Sequence, residues 1–299
     1  MNSDPIVSIL CITYNHRRYI EETINSFLMQ KVQVPYEIVI GDDSSTDGTI
    51  EICKSYVDKY PNKIKLLISE QNLGPNKNWI KTYKHCRGKF IALCEGDDYW
   101  TDPSKLQKQV DFLEENPSYS LCFHNALVRY DHIRKKPHCF KILQSNTDEP
   151  VFDINDIILK PWFIPTASIV FRKKKFILKK WFSMIHNGDF GLHLILANSG
   201  DFYYIDQVMS VYRRHDNNIA KQFGLTSYDN KEKMKEVLFF FNYYSNFIHN
   251  DKIQERLKKL DSSTYINLLY TRPFIIKLLS IDFYLFKVKK IIKNRLYNE

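Results

Sequence analysis

The chain has 299 residues, 44% apolar and 14% aromatic, and a formal net charge of +9. That composition buries a real core and excludes a disordered chain, and the length suits one large domain with an appendage. Six cysteines (Cys11, Cys53, Cys86, Cys94, Cys122 and Cys139) form no C-x-x-C pair and read as small apolar residues of a reduced, cytosolic protein.

The N-terminus passes at once into a strand-like run, residues 6–12, with no basic leader and no apolar stretch long enough for a signal peptide, so export is not expected. The first 130 residues alternate short β-rich runs with amphipathic helical stretches, which predicts a parallel sheet covered by helices. Residues 6–12 lead to a helix with Ile20, Ile24, Phe27 and Leu28 on one face, and residues 36–40 to one carrying Ile50, Cys53 and Val57. Residues 64–68 precede a helix with Trp79, Tyr83 and Cys86 on one side. Residues 90–94 precede one with Leu106, Val110 and Leu113, for which Asp102-Pro103 reads as N-cap and first helical residue.

In such sheets ligands sit beyond the carboxyl ends of the strands. The loops there read Thr13-Tyr14-Asn15-His16, Gly41-Asp42-Asp43-Ser44-Ser45-Thr46-Asp47-Gly48, Glu70-Gln71-Asn72-Leu73-Gly74 and Glu95-Gly96-Asp97-Asp98. Adjacent carboxylates repel, so the Asp97-Asp98 pair at a strand end calls for a cation, and a divalent metal with a phosphorylated substrate is the reading it suggests. The plainer reading of such a pair is a solvated turn or a helix cap. Asp42-Asp43 likewise reads either as a polar turn, with Ser45 or Thr46 capping the next helix, or as acceptors for a base N–H and a ribose hydroxyl. Tyr99 and Trp100 read either as a sugar platform or as core.

Beyond residue 130, residues 166–171 look like a strand, Phe190, Leu194 and Ala197 share a helical face, and residues 201–214 are extended. Asp189 is placed to cap that helix. From Lys231 onward the chain reads as helical and aromatic. Residues 221–299 carry 15 Lys and Arg against 8 Asp and Glu, and no window is apolar enough to span a bilayer. No nucleic-acid motif accompanies the charge, so no nucleic-acid partner is expected; residues 274–296, mixing Ile, Leu and Phe with Lys and Arg, read as an interfacial helix against an anionic membrane or as one packed on the domain.

Taken in order, Val7-Ser-Ile-Leu-Cys-Ile-Thr-Tyr-Asn15, Ile40-Gly-Asp-Asp-Ser-Ser-Thr-Asp-Gly-Thr49, Asn72-Leu-Gly74, Glu95-Gly-Asp-Asp98, Gly188-Asp189 and Val211-Tyr-Arg-Arg-His215 resemble the inverting glycosyltransferases of family 2, over residues 6–215. The resemblance implies an α/β GT-A fold: a mostly parallel sheet with helices on both faces in a catalytic domain of residues 1–220, followed by a helical, basic extension of residues 221–299. It implies a nucleotide-sugar donor, most simply UDP-linked, a glycan or lipid-linked oligosaccharide acceptor, and Mg²⁺ or Mn²⁺. Thr13, Tyr14 and Asn15 would flank the base, Asp43 would accept from its ring N–H, Asp42 would support that loop, and Asn72 would belong to the same donor site. Asp97 would approach the ribose or metal, Asp98 would ligate the metal, and His215 would add a nitrogen ligand or touch the diphosphate. Asp189 would be the general base. Of Arg213 and Arg214, alternation lets at most one face the site. A peripheral position at the inner face of the cytoplasmic membrane suits a lipid-linked acceptor. The rival readings are a non-catalytic nucleotide-sugar-binding subunit and a metal-dependent phosphotransfer protein.

Overall fold

The structure, a computed structural model, describes residues 4–131, 135–140, 142, 149–159, 163–185, 187–215 and 237–238. The boundary expected at residue 220, the helices from Lys231 and the C-terminal interfacial helix lie outside the described residues, apart from Val237 and Leu238, which are helical and buried.

Four strand-helix repeats open the chain: β1 (Val7–Thr13), α1 (Ile20–Leu28), β2 (Tyr36–Asp42), α2 (Thr49–Lys59), β3 (Ile64–Ile68), α3 (Pro75–His85) and β4 (Phe90–Leu93), followed by β5 (Tyr99–Trp100) and α4 (Lys105–Glu115). The second half contributes β6 (Leu121–Tyr130), β7 (His138–Cys139), β8 (Val151–Phe152), α5 (Ile154–Leu159), β9 (Val170–Arg172), α6 (Gly188–Ala197) and β10 (Phe202–Arg214). Among the described residues these strands form one sheet in the order β3-β2-β1-β4-β9-β6-β10-β5, with β7 on β6 and β8 on β10. The β1 to β4 half is parallel; β9 then runs antiparallel to both β4 and β6, and β10 lies parallel to β6.

Side-chain alternation splits the first half into two layers. Val7, Ile9 and Cys11 of β1 face a core shared with Ile20, Ile24 and Phe27 of α1, Cys53 of α2 and Leu106, Val110 and Leu113 of α4. The intervening Leu10 and Ile12 face the side covered by α3. Both faces of the inner strands are therefore out of water, as parallel strands require. Gly41 lets α3 approach β2: a Cβ there would lie 1.9 Å from Thr82 Oγ1.

Register decides where the loops meet. Val7 pairs with Tyr36 and with Phe90, so β1, β2 and β4 start level, and Thr13 ends opposite Asp42. From β1 the chain builds outward to β2 and β3 on one side and to β4 on the other, and a crevice opens at such a reversal of direction.

Three local expectations give way to side-chain geometry. Asp102 does not cap α4; its Oδ1 accepts from Ser104 N (2.8 Å) and Ser104 Oγ (2.6 Å), closing a turn, and the helix starts at Lys105. Of residues 166–171, Thr166–Ser168 form a 3₁₀ turn, because Ser168 N and Oγ donate to Pro165 O (2.9 and 2.6 Å), and the strand begins at Val170. Neither Ser45 nor Thr46 caps α2: the cap is Gly48 at φ 99°, with Asp47 Oδ1 accepting from Thr49 N and Oγ1.

Behind the 3₁₀ turn lies a buried lysine. Lys105 has no exposed surface; its Nζ donates to Gln109 Oε1 (2.7 Å) and sits 4.1 Å from the Trp100 ring centroid. Gln109 Nε2 in turn donates to Ser168 O (2.8 Å), and Trp100 Nε1 to Ala167 O (2.8 Å), so both hold the turn. Trp100, 1% exposed, is core rather than sugar platform. Among the described residues no helix is long and apolar enough to cross a membrane.

Candidate active site

The loops after β1 and β2 are laced together. Asp43 N donates to Thr13 O (3.0 Å), Asn15 N to Ser45 Oγ (2.9 Å) and Thr46 N to Asn15 Oδ1 (2.8 Å). Asn15 and Ser44 hold φ of 56° and 66°, left-handed values that non-glycine residues keep only where surrounding bonds enforce them. Asp42, fully buried, accepts from Ser45 N (2.8 Å) and Ser45 Oγ (2.6 Å), which explains why Ser45 is taken from the helix; burial raises the Asp42 pKa. Thr13 is 2% exposed, Tyr14 41%.

Asp43 faces the next loop. Its two oxygens accept from Leu73 N (2.8 Å) and Gly74 N (2.9 Å), and Gly74 N also reaches Asn72 Oδ1 (3.1 Å). Asn76, in the first turn of α3, donates through Nδ2 to Ile185 O, and its Oδ1 crowds the place where a Cβ on Gly188 would fall. A continuous chain of contacts thus runs from Asp43 to the segment preceding Asp189.

Asp97 and Asp98 take different environments despite adjacency. The Asp97 carboxylate is 3.0 Å from His215 Nε2 and 3.8 Å from His16 Nε2. Burial alone would raise its pKa, but His16 and His215 outweigh that and lower it. Asp98 turns inward: Oδ1 accepts from Arg213 N (2.9 Å), and burial, followed by the charge of Asp97, pushes its pKa well up. His215, expected to share a metal with Asp98, therefore pairs with Asp97. Burial lowers the His16 pKa, with Asp97 opposing. Alternation along β10 buries Arg213 at 1% and exposes Arg214. The Arg213 guanidinium serves the acidic loop, donating to Asp97 O (2.5 Å) and pairing with Glu22, with Tyr99 at 4.3 Å from it.

Asp189 does not cap α6. Asn187 does, its Oδ1 accepting from Phe190 N (3.0 Å), and Asp189 sits in the first turn, where its Oδ2 accepts from Thr166 Oγ1 (3.2 Å). Burial raises its pKa. A narrow cleft opens here, lined by Leu10, Ile12, Trp79, Leu93, Cys94, Glu95, Thr166 and Asp189. Glu95 stands between the two groups of acids: burial first, then Asp97, Asp189 and Asp98, push its carboxyl well above the usual range.

Sequence reasoning gave no role to Glu95, Trp79 or Thr166. Glu95 was legible from its place at the end of β4, two residues before Asp97. Trp79 looked like an ordinary helix-face residue, and Thr166 was hidden by the strand expected there.

A family model described as Glycosyl transferase family 2 matches residues 8–178. An uncharacterized protein of Mycobacterium tuberculosis is 36% identical over 213 residues, 71% of this chain and 60% of that protein, so the chain spans about 60% of this relative's length. The putative glycosyltransferase EpsE of Bacillus subtilis is 38% identical over 128 residues, 43% of this chain and 45% of EpsE. Among solved structures, residues 1–349 of Staphylococcus aureus TarS in complex with UDP superpose with a TM-score of 0.58 at 19% identity, covering 91% of this chain and 76% of that one. The mannosyltransferase PcManGT from Pyrobaculum calidifontis, in complex with GDP-Man and Mn²⁺, gives 0.53 at 14% identity over 92% and 81% of the two chains. At these identities the likeness concerns the fold, an α/β sheet with helices of the GT-A type.

Proposed function

Because this chain belongs to glycosyl transferase family 2, we propose that it moves a sugar from a UDP-linked donor to a hydroxyl of a glycan or lipid-linked oligosaccharide, with inversion at the anomeric carbon. The observation that carries this reading is the meeting of Asp189, Glu95 and the Asp97-His215 pair at the carboxyl ends of β1 and β4, although 94 positions separate Glu95 from Asp189. UDP is favoured by the ligand named for the TarS structure.

In this reading Asp189 is the general base. Its carboxylate takes the proton of the acceptor hydroxyl as that oxygen bonds to the anomeric carbon, while the bond from that carbon to the diphosphate oxygen breaks and its electron pair leaves with the nucleoside diphosphate. Thr166 aims the carboxylate through the hydrogen bond to Oδ2. Burial that raises the Asp189 pKa makes it a stronger acceptor of that proton than a solvated aspartate. Asp43, anchored on Leu73 and Gly74, faces the base with Thr13, Tyr14 and Asn15, while Asp42 and Asn72 hold the loops.

Among the described residues no three His, Cys, Asp or Glu are grouped so as to hold a metal by themselves. The oxygen of Asp97 beside the imidazole of His215 nonetheless suits Mg²⁺ or Mn²⁺ completed by diphosphate oxygens, with Asp98 behind Asp97. Held there, the ion would supply positive charge against the negative charge on the departing diphosphate. Residues 1–220 form the catalytic domain in this proposal, and the basic residues 221–299 meet the inner face of the cytoplasmic membrane; deleting residues 271–299 should lower recovery in the membrane fraction.

The test is Asp189→Asn. Calorimetry with UDP and Mn²⁺ should give unchanged affinity, while turnover of the preferred UDP-sugar falls by about 10²–10⁴-fold. Wild-type binding of nucleotide sugar without any turnover on a broad acceptor panel would favour a non-catalytic binding subunit and refute the assignment.

A further inference from the structure

We propose that Gln109 and Trp100, neither of which lines the cleft, are positioning residues for the base: they hold the 3₁₀ turn from which Thr166 meets Asp189. The inference rests on the glycosyl-transfer reading with Asp189 as base, and deepens it by naming what fixes that carboxylate.

The turn is not what its own residues prefer. Thr166, Ile169 and Val170 are β-branched, and Val170 is already paired with Ala92 of β4 and Cys122 of β6, so the local bias is to carry the strand back through residue 166. Donors from the core oppose that bias. Pro165 O accepts from Ser168 N (2.9 Å) and Oγ (2.6 Å), and Thr166 O from Ile169 N (3.2 Å). Ala167 O accepts from Trp100 Nε1 (2.8 Å) and Ser168 O from Gln109 Nε2 (2.8 Å). Every carbonyl from Pro165 to Ser168 is thus occupied, the last two by side chains 67 and 59 positions earlier in the chain.

Gln109 lies fully buried on the face of α4 that carries Leu106, Val110 and Leu113, where an apolar residue would pack with no polar atoms to satisfy. Its amide is nevertheless used completely. Nε2 donates to Cys122 O (3.1 Å) as well as to Ser168 O, and Oε1 accepts from Lys105 Nζ (2.7 Å). Because the two carbonyls can only accept, the amide has a single orientation, and it ties α4, β6 and the turn at one point. Trp100 reaches the turn as a second strut, its ring packed on Phe27 at 4.8 Å. Removing either donor leaves a buried carbonyl unpaired, which the turn relieves by moving and carrying Thr166 with it. The Thr166 hydroxyl then loses its aim at Asp189 Oδ2, and a small displacement at a reacting group is costly in rate.

The experiment compares Gln109→Met, Trp100→Phe, Thr166→Val and Thr166→Ser with wild type, each checked by thermal melting, and repeats Gln109→Met and Thr166→Val in the Asp189→Asn background. Calorimetry with UDP and Mn²⁺ should give affinities within about twofold of wild type, so that the defect lies in kcat. Transfer from the UDP-sugar that wild type turns over should slow by roughly 10- to 100-fold in Gln109→Met and Thr166→Val, and by less in Trp100→Phe. Thr166→Ser, which keeps the hydroxyl, should restore most of the rate.

Two readouts separate positioning from a general loss of stability. The Thr166 hydrogen bond lowers the Asp189 pKa against the effect of burial, so the acid limb of kcat/KM should move to higher pH in Gln109→Met and Trp100→Phe, as in Thr166→Val. In the Asp189→Asn background neither added substitution should slow turnover further, because its effect passes through that carboxylate. Wild-type kcat and an unmoved acid limb in folded Gln109→Met and Trp100→Phe would overturn the proposal, as would losses that multiply with that of Asp189→Asn; Trp100→Phe decides the matter if Gln109→Met does not fold. Wild-type turnover in Asp189→Asn alone would instead refute the parent assignment of the base, and the positioning role with it.

Discussion

Replacing Lys105 by methionine should stabilise the protein near neutral pH. Burial holds the Lys105 pKa down at about 7, against 10.5 for a solvated lysine, with Cys94, Cys122 and Asp102 opposing and His124 among its neighbours. Between those two values the unfolded chain keeps a proton that the folded chain has lost, so stability rises with pH across the window. At pH 7 and below the folded state carries nearly the full cost, about 5 kcal/mol at about 1.4 kcal/mol per unit. Lys105→Met removes that cost but also removes the donor to Gln109 Oε1, about 1–3 kcal/mol, and the contact with the Trp100 ring, about 1 kcal/mol. The net gain is about 1–3 kcal/mol at pH 7, or roughly 2–12 °C in Tm at 2–4 °C per kcal/mol. Urea unfolding of both proteins at pH 6.5, 8 and 9.5 checks it: the advantage of the variant should shrink as pH rises and turn into a deficit by pH 9.5. A difference that stays constant with pH would refute the reasoning, because then no proton is linked to the burial of this side chain.

Gly41→Ala should cost about 1–3 kcal/mol through the clash with Thr82 Oγ1 at 1.9 Å, and Thr82→Ala in the same chain should restore part of it, as urea midpoints would show. Glu37, 8% exposed, accepts from Ser8 Oγ (2.7 Å) and Arg87 N (2.7 Å) as well as from the Arg87 guanidinium. Glu37→Ala should therefore cost about 2–4 kcal/mol, whereas a double-mutant cycle with Arg87→Ala should return a coupling under about 1 kcal/mol, since the arginine side chain is 63% exposed. The acid limb of kcat/KM should lie above the ordinary carboxylate range, because burial raises the Asp189 pKa and activity is lost as pH falls through it. A limb at the position of a solvated aspartate would remove Asp189 from the rate equation.

The first half of the fold was legible because its signals are local. Residues 6–12, 36–40, 64–68 and 90–94 carry the apolar strands, and each ends in a polar, acidic or glycine-containing loop, so the crevice at their carboxyl ends followed from topology. What escaped sequence reasoning depends on choices between equivalent partners. Asp102, Ser45 and Asp189 were all competent caps, and each found another hydrogen-bond partner: Ser104, Asp42 and Thr166. Asp97 and Asp98 are chemically alike in the sequence. Only β10, arriving from more than a hundred residues away, directs the side chain of His215 to one and the backbone of Arg213 to the other. The 3₁₀ turn at Thr166–Ser168 was hidden because its β-branched and small residues are those of a strand, so the strand was read from Thr166 rather than from Val170.

The distribution of sulfur has a practical consequence. Cys11, Cys53, Cys86, Cys94 and Cys122 are buried, and burial pushes the thiols of Cys53, Cys86 and Cys122 up to about 12 and those of Cys11 and Cys94 well above the usual value, whereas Cys139 lies exposed on β7. Thiolate-selective reagents should thus discriminate one sulfur from five in the native chain. A maleimide dye would mark the outer edge of the hairpin formed with β6, giving a spectroscopic handle that needs no engineered cysteine.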